Sequence, residues 1–462
     1  MKRRFLSLLI LFSSFTAFGQ ISYEKDYSTA LEQVRLRKTP LFIYITPDSK
    51  IPAASYTSGI NLPEVVTFYN DNFISLRLPY ASPETKVVMS KYQISRFPCY
   101  LFLDTNENLI FRAFNNNREA KFYLDLGKEV LQRLENKTSI FQYEQQYANG
   151  QQNKNFLKDY INLRRKTGTT KNATLIEQYV KLLTIGEFDN PDEILFILRA
   201  GPFVYGKAYS LAFSNNKLAN ETFMALPIQE RIDINNVMSE NTLNEAILRR
   251  NLPMAQQVSN FSRNINTDYR EGERQSSWKM LVYYKAIRDT ANYFRNATNY
   301  NDTYFMTVSV DSVKKAKAEN QKNIDMIKSF KSAKPKVTNV TPPTGTEPRK
   351  MTTVISKTIT ISSNSNNVSN FLNTAAWDFY EFGTRNNNYL SKALLWSKRS
   401  IEMDPIPAYY DTLAHIFYRM GLYDEALLNQ KKSIELSEKQ PTLKSGVANL
   451  KSELNKMKER TL

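Results

Sequence analysis

The side chains that most often carry out chemistry in proteins are scarce in this sequence. Its 462 residues include one cysteine, Cys99, and one histidine, His415. A single cysteine excludes an internal disulfide, a CxxC dithiol, a cysteine-ligated zinc ion and an iron–sulfur cluster, and a single histidine excludes sites that need several imidazoles. We therefore predict no catalytic residue, no metal site and no cofactor, and we favour a binding protein over an enzyme without deciding between them.

Cys99 and His415 each allow two interpretations. Cys99 begins an apolar segment directly after Pro98, which favours a small buried side chain at the start of a core strand. A nucleophilic role would need exposure and a cation that stabilises the thiolate, and Arg96 is the only cation nearby in the sequence. His415 lies in a predicted helix without an acid and a nucleophile around it, so we expect an exposed side chain rather than a catalytic base.

The N-terminus has the layout of a secretory signal. Lys2-Arg3-Arg4 precedes an apolar stretch, and Ala17-Phe18-Gly19 matches a small-residue cleavage site. We expect cleavage after Gly19 and an exported protein, periplasmic or extracellular. The apolar stretch is shorter than the roughly 20 residues that a spanning helix needs. We therefore expect no integral membrane span after cleavage; an uncleaved N-terminal anchor is the alternative.

Positive charge is concentrated in one part of the chain. The net charge is +17, and residues 314–357 contain eleven basic and three acidic residues. A basic segment can bind nucleic acid or anionic lipid, but residues 331–370 carry no aromatic side chain for base stacking. We therefore predict a solvated basic linker over residues 331–370 and no nucleic-acid partner. Residues 354–361 alternate in polarity and could instead pair as an edge strand.

The first part of the chain alternates between predicted helices and strands. The hydrophobic pattern predicts helices over residues 27–37, 62–70, 83–92 and 118–135, and strands over residues 40–46, 73–78, 99–104 and 109–114. A strand, a helix and a strand in succession imply parallel strands, whereas the short polar turn at residues 105–108 implies an antiparallel hairpin. Together they predict an α/β domain, a mixed sheet with helices on both faces.

Two segments of this region resemble the thioredoxin-like domains of exported proteins. The first is Leu62-Pro63-Glu64-Val65-Val66, followed by Asn72-Phe73-Ile74, and the second runs from Tyr92 through Pro98 to Asp104. The resemblance covers about a quarter of the chain and implies a thioredoxin-like domain over residues 20–139. It also implies that the peptide bond before Pro98 is cis and borders the active site of the family.

The sequence departs from this family at the place where the family carries out its chemistry. Thioredoxins use two thiols at a helix N-terminus, where the helix dipole lowers the pKa of the attacking sulfur. The corresponding positions fall near Ser49 and Pro52, and neither residue can carry out redox chemistry. The resemblance therefore implies a redox-inactive domain with a groove that could hold an extended peptide. The groove residues are Ser49, Pro52, Phe97, Pro98 and Cys99.

Helical periodicity dominates between residues 140 and 330. Apolar residues recur on one face of several segments, for example from Leu175 to Leu183, and polar breaks such as Phe188-Asp189-Asn190-Pro191 separate these segments. We therefore predict an all-α helical array of antiparallel helices over residues 140–330.

The C-terminal region repeats itself. Lys392-Ala393-Leu394-Leu395 recurs 33 positions later as Glu425-Ala426-Leu427-Leu428, and Asp404-Pro405 closes the first unit. This period resembles the tetratricopeptide repeat (TPR), which implies a TPR α-solenoid over residues 371–462 with a capping helix at residues 442–458.

A TPR array offers a concave groove to a partner peptide or helix. Asp378 and Asp411 would disfavour a C-terminal carboxylate in this groove and favour a basic or polar segment, although both could be ordinary solvated helix residues. By position in the repeat, the resemblance places these residues in the groove: Asp378, Phe382, Asp411, His415 and Arg419.

Three classes of function remain open at this point. We favour an exported, non-catalytic interaction or scaffold protein whose partner is a protein or peptide, because the CxxC motif is absent. The alternative is a thioredoxin-family oxidoreductase or chaperone that uses Cys99 alone or the groove beside Pro98. A third class, a surface-binding protein acting through the basic linker, is disfavoured by the missing aromatic residues.

Overall fold

A computed structural model describes residues 20–46, 58–94, 96–332, 368–440 and 445–462. The chain divides into two compact units, Met1–Asn244 and Glu245–Leu462. The predicted signal peptide, residues 1–19, lies outside the described residues. So do residues 333–367 of the predicted linker, including the alternative edge strand at residues 354–361.

The first unit begins with a five-stranded mixed sheet. Its strands are β1 (Tyr23–Glu24), β2 (Leu41–Thr46), β3 (Ile74–Pro79), β4 (Cys99–Leu103) and β5 (Leu109–Phe114), in the spatial order β1-β3-β2-β4-β5. β1 and β2 run parallel to β3, whereas β4 lies antiparallel to both β2 and β5. The predicted mixed sheet is confirmed. β1 was not predicted, because two residues are too few to show a period.

Helices cover both faces of the sheet: α1 (Tyr27–Arg37), α2 (Pro63–Asn72), α3 (Pro83–Lys91) and α4 (Ala120–Glu135). Successive side chains of a strand point to opposite faces. In β2, Phe42 and Tyr44 therefore join the core formed with α2 and α4. Leu41, Ile43 and Ile45 join the opposite core, formed with α1 and α3. This double coverage explains why β2 and β4 are buried along their whole length.

The rest of the first unit is helical, as predicted. The helices are α5 (Ile140–Ala148), α6 (Lys154–Lys166), α7 (Ala173–Tyr179), α8 (Pro191–Arg199), α9 (Lys207–Ala212), α10 (Asn216–Met224) and α11 (Ile228–Leu248), in which the unit boundary falls. The predicted break at Asn190 starts α8. The Asn190 side chain accepts a hydrogen bond from the Asp192 backbone amide at 2.9 Å, and Pro191 occupies the first turn.

All the regular secondary structure of the second unit, within its described residues, is helical. Its helices are α12 (Leu252–Asn264), α13 (Tyr269–Ile287), α14 (Thr290–Tyr304), α15 (Val310–Ser332), α16 (Val368–Glu381), α17 (Asn387–Met403), α18 (Pro407–Arg419), α19 (Tyr423–Glu438) and α20 (Val447–Glu459). One core joins Leu281 of α13 and Val313 of α15 to Phe379 and Trp396 of α16 and α17. Trp396 also donates a hydrogen bond from its indole nitrogen to Asp302 of α14 at 2.9 Å. The helices on the two sides of residues 333–367 therefore fold as one body.

This grouping differs from the domain boundaries that the sequence predicts. α5–α11 belong to the first unit, whereas α12–α15 share the second unit with α16–α20. The reason is physical, since helical periodicity shows which face of a helix is apolar but not which other helix covers that face. Within the described ranges, none of the helices combines the length and the apolar character that crossing a bilayer requires.

Limited proteolysis tests the core that α13–α15 share with α16 and α17. Residues 333–367 contain lysines and an arginine, and we expect trypsin to cleave among them. Because helices on both sides belong to one core, the two fragments should separate on a denaturing gel but elute together in size-exclusion chromatography. A C-terminal fragment that elutes alone and keeps a helical circular dichroism spectrum would contradict the shared core and favour an independent domain at residues 371–462.

Candidate binding sites

The segment before β4, here called the proline loop (Arg96, Phe97 and Pro98), is the one that the family resemblance singled out. Its Phe97–Pro98 peptide bond is cis, as the resemblance implied. Pro98 is buried, Arg96 is exposed, and Phe97 packs edge-on against Tyr80 with ring centroids 4.7 Å apart. The exposed part of this loop is therefore the arginine rather than the proline.

The predicted peptide groove is only partly covered by the structure. Phe97, Pro98 and Cys99 lie together at the start of β4, whereas Ser49 and Pro52 lie outside the described residues. The groove as a whole therefore stays a prediction.

Cys99 is inaccessible. Its side chain is 0% exposed, and it pairs with Ile45 of β2 and Phe114 of β5 inside the sheet. Burial raises the pKa of the thiol to about 12, and the nearby guanidinium groups of Arg112 and Arg96 lower it by less. The interpretation of Cys99 as a small buried residue at the start of a strand is therefore confirmed.

The native protein should resist thiol labelling. A thiol with a pKa near 12 is ionised in about one molecule in ten thousand at pH 8, and the sulfur of Cys99 is also shielded. A maleimide should therefore label Cys99 rapidly only after denaturant is added, as followed by mass spectrometry. Rapid labelling of the folded chain would favour the single-thiol alternative. Cys99→Ala should remain folded and cost about 1 kcal/mol of stability.

A buried arginine attaches the loop between α6 and α7 to the sheet. Arg112 of β5 is 8% exposed, and it donates hydrogen bonds to the Thr167 carbonyl oxygen at 2.8 Å and the Thr169 hydroxyl at 2.8 Å. It also donates to the Tyr92 carbonyl oxygen at 2.6 Å, in the turn after α3. Chiefly because of burial, the pKa of Arg112 is lowered. This one side chain holds the α6–α7 loop against the segment that leads into the proline loop.

Gly168 lets the α6–α7 loop approach the proline loop closely. Its φ is +79°, and a Cβ atom there would lie 2.4 Å from a guanidinium nitrogen of Arg96 and 2.7 Å from the Phe114 ring. Only glycine adopts this backbone conformation readily and leaves the space free. Arg96 uses the space to donate a hydrogen bond to the Gly168 carbonyl oxygen at 3.2 Å, with its guanidinium 4.8 Å from the centre of the Phe114 ring.

The proline loop and the α6–α7 loop border an open cavity of about 560 Å³, here called the cationic cavity. Four of its nine lining residues are basic, and among the described residues none of the lining is acidic. The lining residues are Arg96, Asn162, Arg165, Lys166, Gly168, Thr169, Thr170, Arg199 and Val237.

Two of the four cations of the cationic cavity have carboxylate partners and two do not. Lys166 lies 2.7 Å from a Glu129 carboxylate oxygen, and Arg199 lies 2.6 Å from one of Glu230. Within the described ranges no ion pair joins Arg96 or Arg165 to a carboxylate. Burial and the charge of Arg199 lower the pKa of Arg165, and the carboxylate of Glu230 raises it by less. The four lining cations outnumber the carboxylates of Glu129 and Glu230, so the cavity keeps a net positive charge, which suits a carboxylate or another anion.

In the second unit, two of the predicted groove residues face other helices. Asp378 of α16 is 5% exposed; its two oxygens accept hydrogen bonds from the Lys285 ammonium at 2.7 Å, and one also accepts from the Tyr293 hydroxyl at 2.5 Å. The Phe382 ring packs against Tyr293 with centroids 5.2 Å apart. The expectation of an open groove at Asp378 and Phe382 is thereby corrected, because α13 and α14 cover this side of α16.

The other three predicted groove residues do lie together on α18. His415 is 2% exposed, so the expectation of an exposed histidine is wrong. The Trp377 and Tyr380 rings form T-shaped contacts with its imidazole at centroid distances of 5.3 Å and 5.0 Å. Arg419 lies over the Tyr380 ring at 4.4 Å, and Asp411 is one turn before His415. In a repeat pattern a histidine counts as a polar residue and is expected on the surface. Here the aromatic residues Trp377 and Tyr380 of α16 bury its imidazole.

Sequence reasoning missed the cationic cavity because Arg96, Arg165 and Arg199 are far apart in the chain. One signal was present, since Arg164-Arg165-Lys166 ends a helix two residues before Gly168. Basic residues in a last helical turn followed by glycine are typical of an ordinary helix C-terminus, so this signal does not by itself indicate a binding site.

Comparison with known proteins adds little to these observations. No protein-family model matches the sequence, and no curated protein matches it. Among solved structures, one titled "DsbH Oxidoreductase" aligns at 17% sequence identity over 25% of this chain and 86% of that chain, with a TM-score of 0.22.

Proposed function

We propose that this chain is an exported, non-catalytic protein-interaction protein whose first unit binds an acidic protein segment in the cationic cavity. The observation that carries the proposal is the pair of guanidinium groups, Arg96 and Arg165, that line the cavity and form no ion pair with a carboxylate among the described residues. Arg165 is partly buried, and its charge is disfavoured there by desolvation. A bound carboxylate would offset this cost and accept paired hydrogen bonds from the guanidinium.

In this proposal the start of the first unit is a thioredoxin-like domain that has kept its fold and lost its dithiol. The strand order β1-β3-β2-β4-β5, the helices on both faces and the cis proline directly before β4 all support it. In thioredoxins, the loop of the cis proline borders the reactive thiols. Here Arg96 of the same loop borders the cationic cavity. We therefore propose that an anion-binding site lies next to the position where thioredoxins carry their reactive thiols.

We propose a TPR-like scaffold for α16–α19 in the second unit. Helices α16 to α19 contact one another in sequence order, as the paired helices of such repeats do. Ala393 and Ala426, the small residues that recur in the two repeats, are both 0% exposed, which supports close helix crossings at those positions. The face of this scaffold that would meet a partner is not the one that contains Asp378, since Lys285 already pairs with that carboxylate.

The alternative, a thiol oxidoreductase that uses Cys99 alone, is disfavoured by the chemistry of that residue. Thiol–disulfide exchange needs an accessible thiolate, and Cys99 is fully buried with a raised pKa.

A direct binding measurement tests the proposed function. A fluorescein-labelled peptide of alternating glutamate and glycine is titrated with the mature chain, residues 20–462, and fluorescence anisotropy is recorded at low and at physiological salt. We expect saturable binding that weakens as salt rises, because screening reduces attraction between partly exposed charges. The same peptide with lysine in place of glutamate should not bind.

Two matched double variants show whether the cationic cavity is the binding site. Arg96→Glu with Arg165→Glu should weaken binding of the acidic peptide by at least about tenfold, since it replaces two attractive contacts by repulsive ones. Lys25→Glu with Lys86→Glu changes the net charge equally at exposed positions of the same unit that do not line the cavity, and it should change affinity by less than about twofold. Equal weakening by both would mean that binding follows net charge, and the proposed site would be wrong.

A further inference from the structure

The only histidine of the chain lies beside two carboxylates that come from different helices. The histidine cluster comprises Asp411 and His415 of α18 and Glu453 of α20, and one ligating atom from each residue lies within 4.8 Å of the others. His415 Nε2 is 4.0 Å from a Glu453 carboxylate oxygen, and His415 Nδ1 is 3.8 Å from one of Asp411. The imidazole is 3% exposed, so this is a built-in feature of the helix packing rather than a surface coincidence.

The hydrogen bonding of His415 leaves one ring nitrogen available. Nδ1 lies 2.8 Å from the backbone carbonyl oxygen of Asp411. A carbonyl oxygen can only accept, so Nδ1 donates, and in a neutral imidazole the lone pair is then on Nε2, the nitrogen nearest Glu453. Metal-binding histidines in proteins usually donate from the other ring nitrogen to a carbonyl or carboxylate in this way, which fixes the ring for the metal.

The residues around the cluster hold its ligands in place. Trp377 and Tyr380 pack edge-on against the imidazole, and Gln430 Nε2 donates a hydrogen bond to a carboxylate oxygen of Asp411 at 2.9 Å.

Gln430, whose amide nitrogen donates to Asp411, supplies a second observation beside the cluster. The residue is 0% exposed, and its side-chain oxygen has no hydrogen-bond partner among the described residues. Buried polar atoms are nearly always satisfied. A water molecule bound to a cation at Asp411 would bring a hydrogen-bond donor into the region of the Gln430 side-chain oxygen.

The cluster also brings two carboxylates to one buried imidazole, Asp411 on its Nδ1 side and Glu453 on its Nε2 side. A divalent cation bound among the three side chains would offset the repulsion between these two carboxylates.

We propose that Asp411, His415 and Glu453 form a binding site for a divalent transition-metal ion such as Zn²⁺. One imidazole nitrogen and two carboxylates match the ligand types of Zn²⁺, whereas Mg²⁺ and Ca²⁺ prefer oxygen ligands alone. Three protein ligands leave a coordination position for water. A metal ion at this site would link α18 to α20, so the site has a structural role in closing the C-terminal helices. This proposal departs from the sequence-based prediction of no metal site, because His415 meets Glu453 only through the packing of α18 against α20.

Zinc titration of the mature chain without a polyhistidine tag tests this site. Because the sequence has one histidine, the carbon-bound imidazole protons give one set of NMR signals, and these report on His415 alone. We expect these signals to shift and saturate at one Zn²⁺ per chain, with a rise in the melting temperature, as binding to the folded state requires. Millimolar Zn²⁺ that leaves the imidazole signals unshifted would mean that the cluster is only an ion pair, and would overturn the proposal.

Two isosteric variants on one helix provide the matched control. Glu453→Gln removes a ligand charge from a partly exposed residue, and it should weaken Zn²⁺ affinity at least about tenfold in isothermal titration calorimetry. Glu459→Gln makes the same change at an exposed position of α20, and it should leave the affinity within about twofold. Equal affinity in Glu453→Gln and the unchanged chain would place the metal elsewhere. Melting temperatures of both variants in the absence of zinc that match the unchanged chain would show that the fold is retained.

Discussion

Replacing Lys285 by methionine is expected to lower the free energy of unfolding of the second unit by about 3 kcal/mol. Lys285→Met leaves the Asp378 carboxylate, whose side chain is 7% exposed, with only the Tyr293 hydroxyl to satisfy its charge. This loss of stability is at the lower end of the range for breaking a buried ion pair, because the Lys285 side chain itself is 45% exposed. In a unit of this size the melting temperature should fall by roughly 6 to 12 °C.

A double variant separates the buried charge from the loss of packing at Lys285. Lys285→Met combined with Asp378→Asn removes both charges and keeps an oxygen that can accept the Tyr293 hydrogen bond. More than half of the lost stability should return, because the penalty comes from an unpaired buried carboxylate. Lys431→Met, at an exposed position of the same unit, should have almost no effect. A Lys285→Met protein as stable as this control would show that Asp378 needs no countercharge.

Replacing Arg112 by methionine should cost the first unit about 2 to 4 kcal/mol. Arg112→Met removes the donors for the Thr167 and Tyr92 carbonyl oxygens and for the Thr169 hydroxyl. Relief of the desolvation that lowers the pKa of Arg112 offsets part of that loss. Because the α6–α7 loop loses its attachment to the sheet, amide hydrogen exchange should accelerate at residues 167–170 more than in β2.

Two further variants show whether stability depends on the hydrogen bonds of Arg112 or only on its positive charge. Arg118→Met removes the same charge from an exposed site in the same unit, and it should change neither stability nor exchange at residues 167–170. Arg112→Lys keeps the charge but cannot reach all three acceptors, so it should be destabilised almost as much as Arg112→Met. If Arg112→Lys were fully stable, charge rather than hydrogen-bond geometry would hold the loop.

The sheet could be predicted closely from the sequence because its signals are local. The predicted helix at residues 27–37 and the predicted strand at residues 109–114 coincide with α1 and β5. In such segments the apolar pattern, the polar turns and the prolines all indicate the same structure. Where the boundaries differ, as for α2 and β3, the difference is one or two residues at the end of a helix or strand.

The assignment of helices to units could not be predicted, because it depends on contacts between residues far apart in the chain. Asp378 illustrates this difficulty. Its position in a repeat indicates a groove, but the ammonium group that pairs with it belongs to Lys285 in α13, and no local pattern connects these two residues. His415 and Glu453 are a second example, since they meet through the packing of α18 and α20.

The core that joins α13 and α15 to α16 and α17 has a consequence for engineering the chain. Because helices on both sides of residues 333–367 belong to one core, an insertion there lengthens a connection between two fixed ends, and the entropy of closing such a connection rises only with the logarithm of its length. Doubling that length costs only about 0.6 kcal/mol, so a fluorescent reporter inserted there should be tolerated. Dividing the gene at the same point would have the opposite outcome, since a C-terminal half expressed alone would expose Trp396 and Phe379 to water and tend to aggregate.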